Sequence, residues 1–299
     1  MLLRLYKKVR KKRCTETNKN EAMRKRFFTP VCLLSLAGLL SLGSCDSNDG
    51  VLFSIQDDIK LGQQVSEEVD STYRAQGLLL ERSSSNANVQ KAYQNLDRII
   101  SRILNSGQVK YKQEFPWTVK IIKDDNTLNA FATPGGHIYV FTGLIKYLQD
   151  EDHFAGVLAH EIAHADKRHS IKQLQRDYSI SLLLSVALGN NPGTLRQIAA
   201  QLSGSLAGLK FSRDAETEAD ETSVKYLGGT SYYACDGAAG FFIKLEEESQ
   251  QGATPEFLST HPNPDNRIAN IQQEAQQRGC STSSAPDTDF QQLKTALNL

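Results

Sequence analysis

The sequence predicts an α+β domain that is mainly helical, with a small sheet beside one central helix. Three observations carry this reading. Apolar residues recur at helical spacing through Ile55, Ile59, Val65 and Val69, and again through Val89, Tyr93, Leu96, Ile99, Ile100 and Ile103. Two short segments, "WTVKIIK" and "GGHIYVF", instead alternate and are rich in β-branched and aromatic residues, so they read as strands. They lie close together between helical runs, which places one small sheet inside a helical chain.

The elements follow in order. Ser54 is placed to cap the first helix, because its hydroxyl can accept from the first free backbone N–H groups. Residues 76–86 are polar and Ser-rich and read as a loop before the second helix. Pro134-Gly135-Gly136 is a turn between sheet elements. Thr142 starts a short helix, and "FAGVLAHEIAHADKRHS" (154–170) is the central one. Residues 178–209 are apolar but broken by Gly189-Asn190-Asn191-Pro192-Gly193. Each half is too short to span a bilayer, so a helical hairpin packed on the core is expected, rather than an apolar wall at the substrate groove or membrane. After Asp220 a further helix and the segment "GFFIKLEEES" complete the core, and the Ser/Pro/Asp-rich tail 281–299 reads as loose with a marginal last helix at 290–297.

The chain has 299 residues, with 34 basic and 34 acidic. Residues 1–44 hold 11 basic and 2 acidic residues, which leaves 23 basic against 32 acidic in the rest. That remainder is acidic, and an acidic surface argues against nucleic acid as a partner. The basic segment instead has the order of an export signal. Arg24-Lys25-Arg26 precedes an apolar run from Phe27 to Leu42, and Leu42-Gly43-Ser44 leads to Cys45. This resembles a bacterial lipoprotein signal, in which Cys45 carries the lipid. The alternative is an uncleaved anchor, for which the run is barely long enough. The expected organisation is a signal segment over 1–44, with Met23 a second candidate start. An anchor and tether over 45–53, a domain over 54–280 and a polar tail over 281–299 follow. Cys14 and Cys32 fall in the signal segment and Cys45 is the anchor, so Cys235 and Cys280 remain as an even pair, expected to form a disulfide in an exported protein.

His160-Glu161-Ile162-Ala163-His164 carries the chemistry. Residues four apart share a helix face, so both imidazoles can point at one metal ion. Glu161 is offset and can act as a general base on water at that metal. A third ligand is needed. It does not come from the extended motif H-E-x-x-H-x-x-G-x-x-H, because Lys167 replaces the Gly and Ser170 the His. His169 is out of step and reads as a surface residue. Glu216 and Asp220 share a face of a later helix, where Glu216 can ligate and Asp220 can orient a ligand His. Glu218 lies about 200° round that helix and should face elsewhere. The spacing alone also fits an ordinary solvated helix.

Four segments together resemble the HtpX-like and CAAX-prenyl-protease-related zinc metallopeptidases, in their periplasmic lipoprotein branch: "NTLNAFATPGGHIYVFTGLI" (126–145), "LAHEIAHADKRH" (158–169), "FSRDAETEAD" (211–220) and "LSTHPNPDNRI" (258–268). The resemblance covers roughly residues 55–275. It implies a zincin-like fold with one zinc per chain, held by His160, His164 and Glu216, with Glu161 as base. It also implies that His261 and Arg267 lie near the zinc, and that Asn129, Ala130 and Phe131 open an edge strand that binds the substrate backbone. The implied function is a lipid-anchored endopeptidase of the bacterial envelope, facing the periplasm and acting on unfolded or misassembled proteins. A chaperone or assembly factor using the same groove with little proteolysis is the alternative. The substrate, the membrane that holds the lipid and the oligomeric state are left open.

Overall fold

A computed structural model describes residues 51–203, 210–249, 257–262, 266–285 and 288–299. The expected signal segment and Cys45 lie outside the described residues. Among the described residues, no helix is long and apolar enough to cross a membrane.

Helix α1 (Ile55–Ala75) starts at Ser54, whose hydroxyl accepts the Asp57 N–H while Asp57 accepts the Ser54 N–H, closing a capping box. It buries Leu61, Val65, Val69 and Tyr73, while Ile55 and Ile59 are only partly covered. Strand β1 (Leu79–Leu80) follows within the stretch read as loop; two residues are too few to show alternation. Helix α2 (Ala87–Leu104) starts at Asn86, whose side chain accepts the Asn88 N–H, and buries Tyr93, Leu96, Ile99, Ile100 and Ile103.

Strands β2 (Thr118–Ile122), β3 (Ala130–Thr133) and β4 (His137–Phe141) complete a sheet of order β1-β2-β4-β3. β2 and β4 are parallel; the other pairs are antiparallel. β3 is therefore an edge strand. Val119, Ile121, Ala130, Ala132, Ile138 and Val140 pack into the main core, and Ile122, Phe131, Tyr139 and Phe141 pack into a second core with α1. Gly135 and Gly136 turn β3 into β4 at φ of 74° and 84°, which suits residues without a Cβ. A Cβ on Gly62 would sit 1.9 Å from the Pro134 carbonyl oxygen, so α1 lies backbone to backbone on this turn.

Helix α3 (Thr142–Tyr147) leads into α4 (Glu151–Asp166), which is capped by Asp150 and buried from Phe154 to Asp166. Then come α5 (His169–Asp177), α6 (Ile180–Ala187) and α7 (Pro192–Leu202). α6 and α7 form the expected hairpin, placing Leu183, Val186, Leu195 and Ile198 in the second core. Helix α8 (Arg213–Gly228) is capped by Ser212, and α9 (Gly237–Ser249), α10 (Phe257–Thr260), α11 (Arg267–Arg278) and α12 (Asp289–Leu297) follow. Cys235 and Cys280 are bonded, with Cα atoms 6.2 Å apart. The last helix departs from the expectation of a loose tail. Phe290 and Leu293 are buried, Phe290 stacks on Phe154 at 4.7 Å, and Asp289 pairs with Arg98 and Arg102. Its polar composition hid two apolar residues three apart that close the core.

Candidate metal centre

α4 carries His160 and His164 one turn apart, with their Nε2 atoms 2.9 Å from each other. α8 brings Glu216 against both: Oε2 lies 3.4 Å from His160 Nε2 and Oε1 lies 3.4 Å from His164 Nε2. His261, just beyond α10, places Nδ1 3.2 Å from Glu216 Oε1 and Nε2 3.5 Å from Glu161 Oε1. Ligand atoms of His160, His164, Glu216 and His261 all lie within 4.8 Å of one another, and all four residues are buried.

The donor set fits a zinc ion. Tetrahedral zinc with bonds near 2.0–2.1 Å holds its ligand atoms about 3.3 Å apart, close to the His–Glu separations. The outer nitrogens of both α4 histidines are occupied. His160 Nδ1 lies 2.9 Å from Asp220 Oδ1, and His164 Nδ1 lies 3.0 Å from His169 Nδ1. A carboxylate only accepts, so His160 donates from Nδ1 and turns its Nε2 lone pair inward. Among the described residues, His261 Nε2 is buried without a hydrogen-bond partner, and the buried Glu161 carboxylate has no side-chain hydrogen bond. Such groups are costly unless a cation or a polar ligand completes them.

Arg267, the first residue of α11, reaches the same centre. Its Nη2 donates to Glu216 Oε2 at 3.0 Å and to Asp220 Oδ1 at 2.7 Å, and its guanidinium lies over the Phe242 ring. Two rings wall the site: Phe211 stacks on His164 at 4.1 Å, and Phe257 stacks on His261 at 4.3 Å. The Phe257 N–H donates to the Leu128 carbonyl and the Phe211 N–H to the Thr260 carbonyl, which ties α10 to the entrance of β3 and the start of α8.

The two glutamates are driven in opposite directions. Burial pushes the Glu161 carboxyl up. Burial acts the same way on Glu216, but His261, His164 and His160 outweigh it and hold that carboxyl well below the usual range. Burial thus favours the protonated form at Glu161, while the neighbouring histidines favour the anion at Glu216.

Beside the centre, the Asn129 carbonyl accepts the Phe141 N–H, which makes 129 and 131 the residues that bond toward β4. Ala130 and Ala132 therefore turn their backbone groups away from β4; both residues are buried, and the Ala132 carbonyl accepts from the Ser170 hydroxyl at 3.4 Å. The Asn129 side chain is buried, and neither of its polar atoms has a partner among the described residues.

One residue is placed otherwise than expected. His169 is buried, not on the surface, and lies between His164 and Glu218. Nine residues of unbroken helix would put it on the side opposite His160. The helix breaks first: Arg168 adopts a left-handed conformation at φ 59° and restarts the chain as α5. No spacing rule marks that residue in advance. Phe211 as a wall of the site was also not visible in the sequence, since nothing local distinguishes it from a core phenylalanine.

A model of peptidase family M48 matches residues 90–275. The mitochondrial metalloendopeptidase OMA1 of Schizosaccharomyces pombe is 31% identical over 183 residues, covering 60% of this chain and 51% of that protein. The beta-barrel assembly-enhancing protease of Yersinia pestis is 30% identical over 190 residues, covering 60% of this chain and 39% of that protein. The protein of the same name from Escherichia coli is 30% identical over 172 residues, covering 54% and 35%. The chain thus spans about half or less of the length of these relatives. The matched residues contain both α4 histidines, Glu161, Glu216 and the His261–Arg267 element, and the chain belongs to peptidase family M48, whose members are zinc metallopeptidases.

Proposed function

We propose that the chain is a zinc-dependent endopeptidase that cleaves unfolded or misassembled proteins of the bacterial envelope, anchored to the membrane by lipid on Cys45. The convergence of His160, His164 and Glu216 beside the buried carboxylate of Glu161 carries this reading. Held by those three residues, zinc would acidify a water and polarise the scissile carbonyl. Glu161 takes the proton from the attacking water on a carboxylate oxygen and delivers it to the leaving nitrogen. Asp220 fixes the His160 ring, and Arg267 holds Glu216 and Asp220 in register. His261 is close enough to donate to the developing oxyanion or to act as a fourth ligand that closes the resting site. β3 is an edge strand, and the backbone of Ala130, which points away from β4, is placed to pair with an extended substrate strand, with the Asn129 amide beside it.

The names of the bacterial relatives support an envelope substrate. The Cys235–Cys280 bond supports an oxidising compartment. The test is turnover of casein by the purified protein, with zinc content measured in parallel. Cleavage should stop on chelation, return with zinc and be lost in Glu161→Gln. A folded, zinc-loaded protein that binds casein and cleaves it no faster than Glu161→Gln would overturn the peptidase reading in favour of a chaperone.

A further inference from the structure

His164 is backed by a chain of three side chains that leads away from the metal centre. Its Nδ1 lies 3.0 Å from His169 Nδ1. His169 Nε2 lies 3.1 Å from Glu218 Oε2, and the other Glu218 oxygen lies 3.0 Å from Lys167 Nζ. The outer end sets the direction of every bond. A carboxylate can only accept, so His169 carries its hydrogen on Nε2. A neutral ring with that hydrogen has its lone pair on Nδ1, so His169 accepts and His164 donates. His164 then has no hydrogen on Nε2, the atom that faces Glu216 and His160.

We propose that His169 and Glu218 are positioning residues that lock His164 as a metal ligand, setting both its tautomer and its ring plane. Asp220 does the same for His160 directly, at 2.9 Å. The two histidines of the motif are thus supported in different ways, one by a buried carboxylate and one by an imidazole that passes on the effect of a carboxylate outside. His169 is 2% exposed, whereas the Glu218 side chain is 42% exposed. The weight of the support therefore falls on His169. Glu218 borders a hollow of about 350 Å³ lined also by Lys167, Lys172 and Lys225, so the outer end of the chain meets solvent.

The local backbone is built to deliver His169 to this place. Arg168 holds its left-handed conformation because its guanidinium is buried and gripped: Nε and Nη2 lie 2.6 and 2.9 Å from the two Asp58 oxygens, and Nη2 donates to the Phe53 carbonyl at 2.6 Å. A non-glycine residue in this region is strained, and such strain persists where surrounding contacts fix it.

The proposal rests on the reading of this cluster as a metal site. The test compares zinc affinity, by competition with a chromophoric chelator, for the wild type, His169→Leu, His169→Gln and Glu218→Gln. Leucine removes the acceptor and keeps bulk; glutamine restores an acceptor. His169→Leu is expected to weaken zinc about 10- to 100-fold, the usual cost of losing such a partner. His169→Gln should recover most of that loss, and Glu218→Gln should cost a few-fold. Ring nitrogen shifts by NMR in the zinc-free wild type should show hydrogen on Nδ1 of His164 and on Nε2 of His169, which needs no variant to fold. Wild-type zinc affinity in His169→Leu, or hydrogen on His169 Nδ1, overturns the proposal while leaving the metal site standing. Failure of the wild type to bind one zinc overturns the metal reading itself, and the proposal with it.

Discussion

Reducing the Cys235–Cys280 bond is expected to destabilise the domain by about 4 kcal/mol. The bond closes a loop of 45 residues. In the chain-entropy account a loop of that length costs the unfolded chain about 13 cal/mol/K, or about 4 kcal/mol at 25 °C. For a domain of this size that corresponds to a Tm lower by roughly 8–16 °C. The closed loop contains His261 and Arg267, so the bond also limits how far the elements carrying them can drift from the centre. The end of α8 shares the contact, since a Cβ on Gly228 would lie 3.0 Å from the Cys280 Cβ. Urea unfolding of the oxidised and reduced protein gives the difference directly. Maleimide labelling in denaturant, before and after reduction, reports the thiols. Coincident midpoints, or both thiols labelled without reduction, would refute the argument.

Other outcomes follow from the site and its supports. Glu161→Gln should keep the metal and lower the peptidase rate about 10²- to 10⁴-fold, since the ligands stay and the proton acceptor goes. Glu216→Gln should lose metal and rate together, because a neutral amide is a poor zinc ligand; emission spectroscopy beside the rate separates the two variants. Gly156→Ala would place a Cβ 2.2 Å from the Ala238 backbone nitrogen, so α4 and α9 must part. Overpacking of this kind costs about 1–3 kcal/mol or more, and an unchanged urea midpoint would deny the close approach. His137 is buried beside Lys120 and Asp70, and burial first, then Lys120, pushes its pKa down to about 4 from 6.5. The unfolded chain takes this proton as pH falls below about 6.5, while the folded chain resists until about 4. Stability should therefore fall by roughly 3 kcal/mol across that window. His137→Gln should remove this part of the slope, and parallel pH curves for variant and wild type would refute it.

The fold was legible where local pattern and burial agree. Ser54 with Asp57 marks a helix start that side-chain chemistry specifies in the sequence; Asp150 with the Asp152 N–H and Ser212 with the Ala215 N–H cap two further helices in the structure in the same way. β2 and β4 were legible because alternation there divides side chains between two cores. What escaped notice depends on contacts between distant segments. β1 is two residues long and exists because β2 offers an edge. The last helix is polar by composition and is held by Phe154 and Arg98, which lie 136 and 191 residues earlier in the chain.

The metal centre shows the same divide at finer scale. Within one helix, phase is a reliable ruler. His160 and His164 meet at Nε2 because they are four apart, and Glu216 and Asp220 reach the same His160 from α8 for the same reason. Across a break the ruler fails. Counted along an unbroken helix, His169 points away from the centre; one left-handed residue at Arg168 returns it to His164. Glu218 follows from that reversal. Its own phase does turn it away from the metal, and it still acts on the site because His169 has come round to meet it. That conformation depends on Asp58, 110 residues earlier in the chain and on another helix. A ligand's identity is thus written in five consecutive residues, while the support that orients it is written in the tertiary fold.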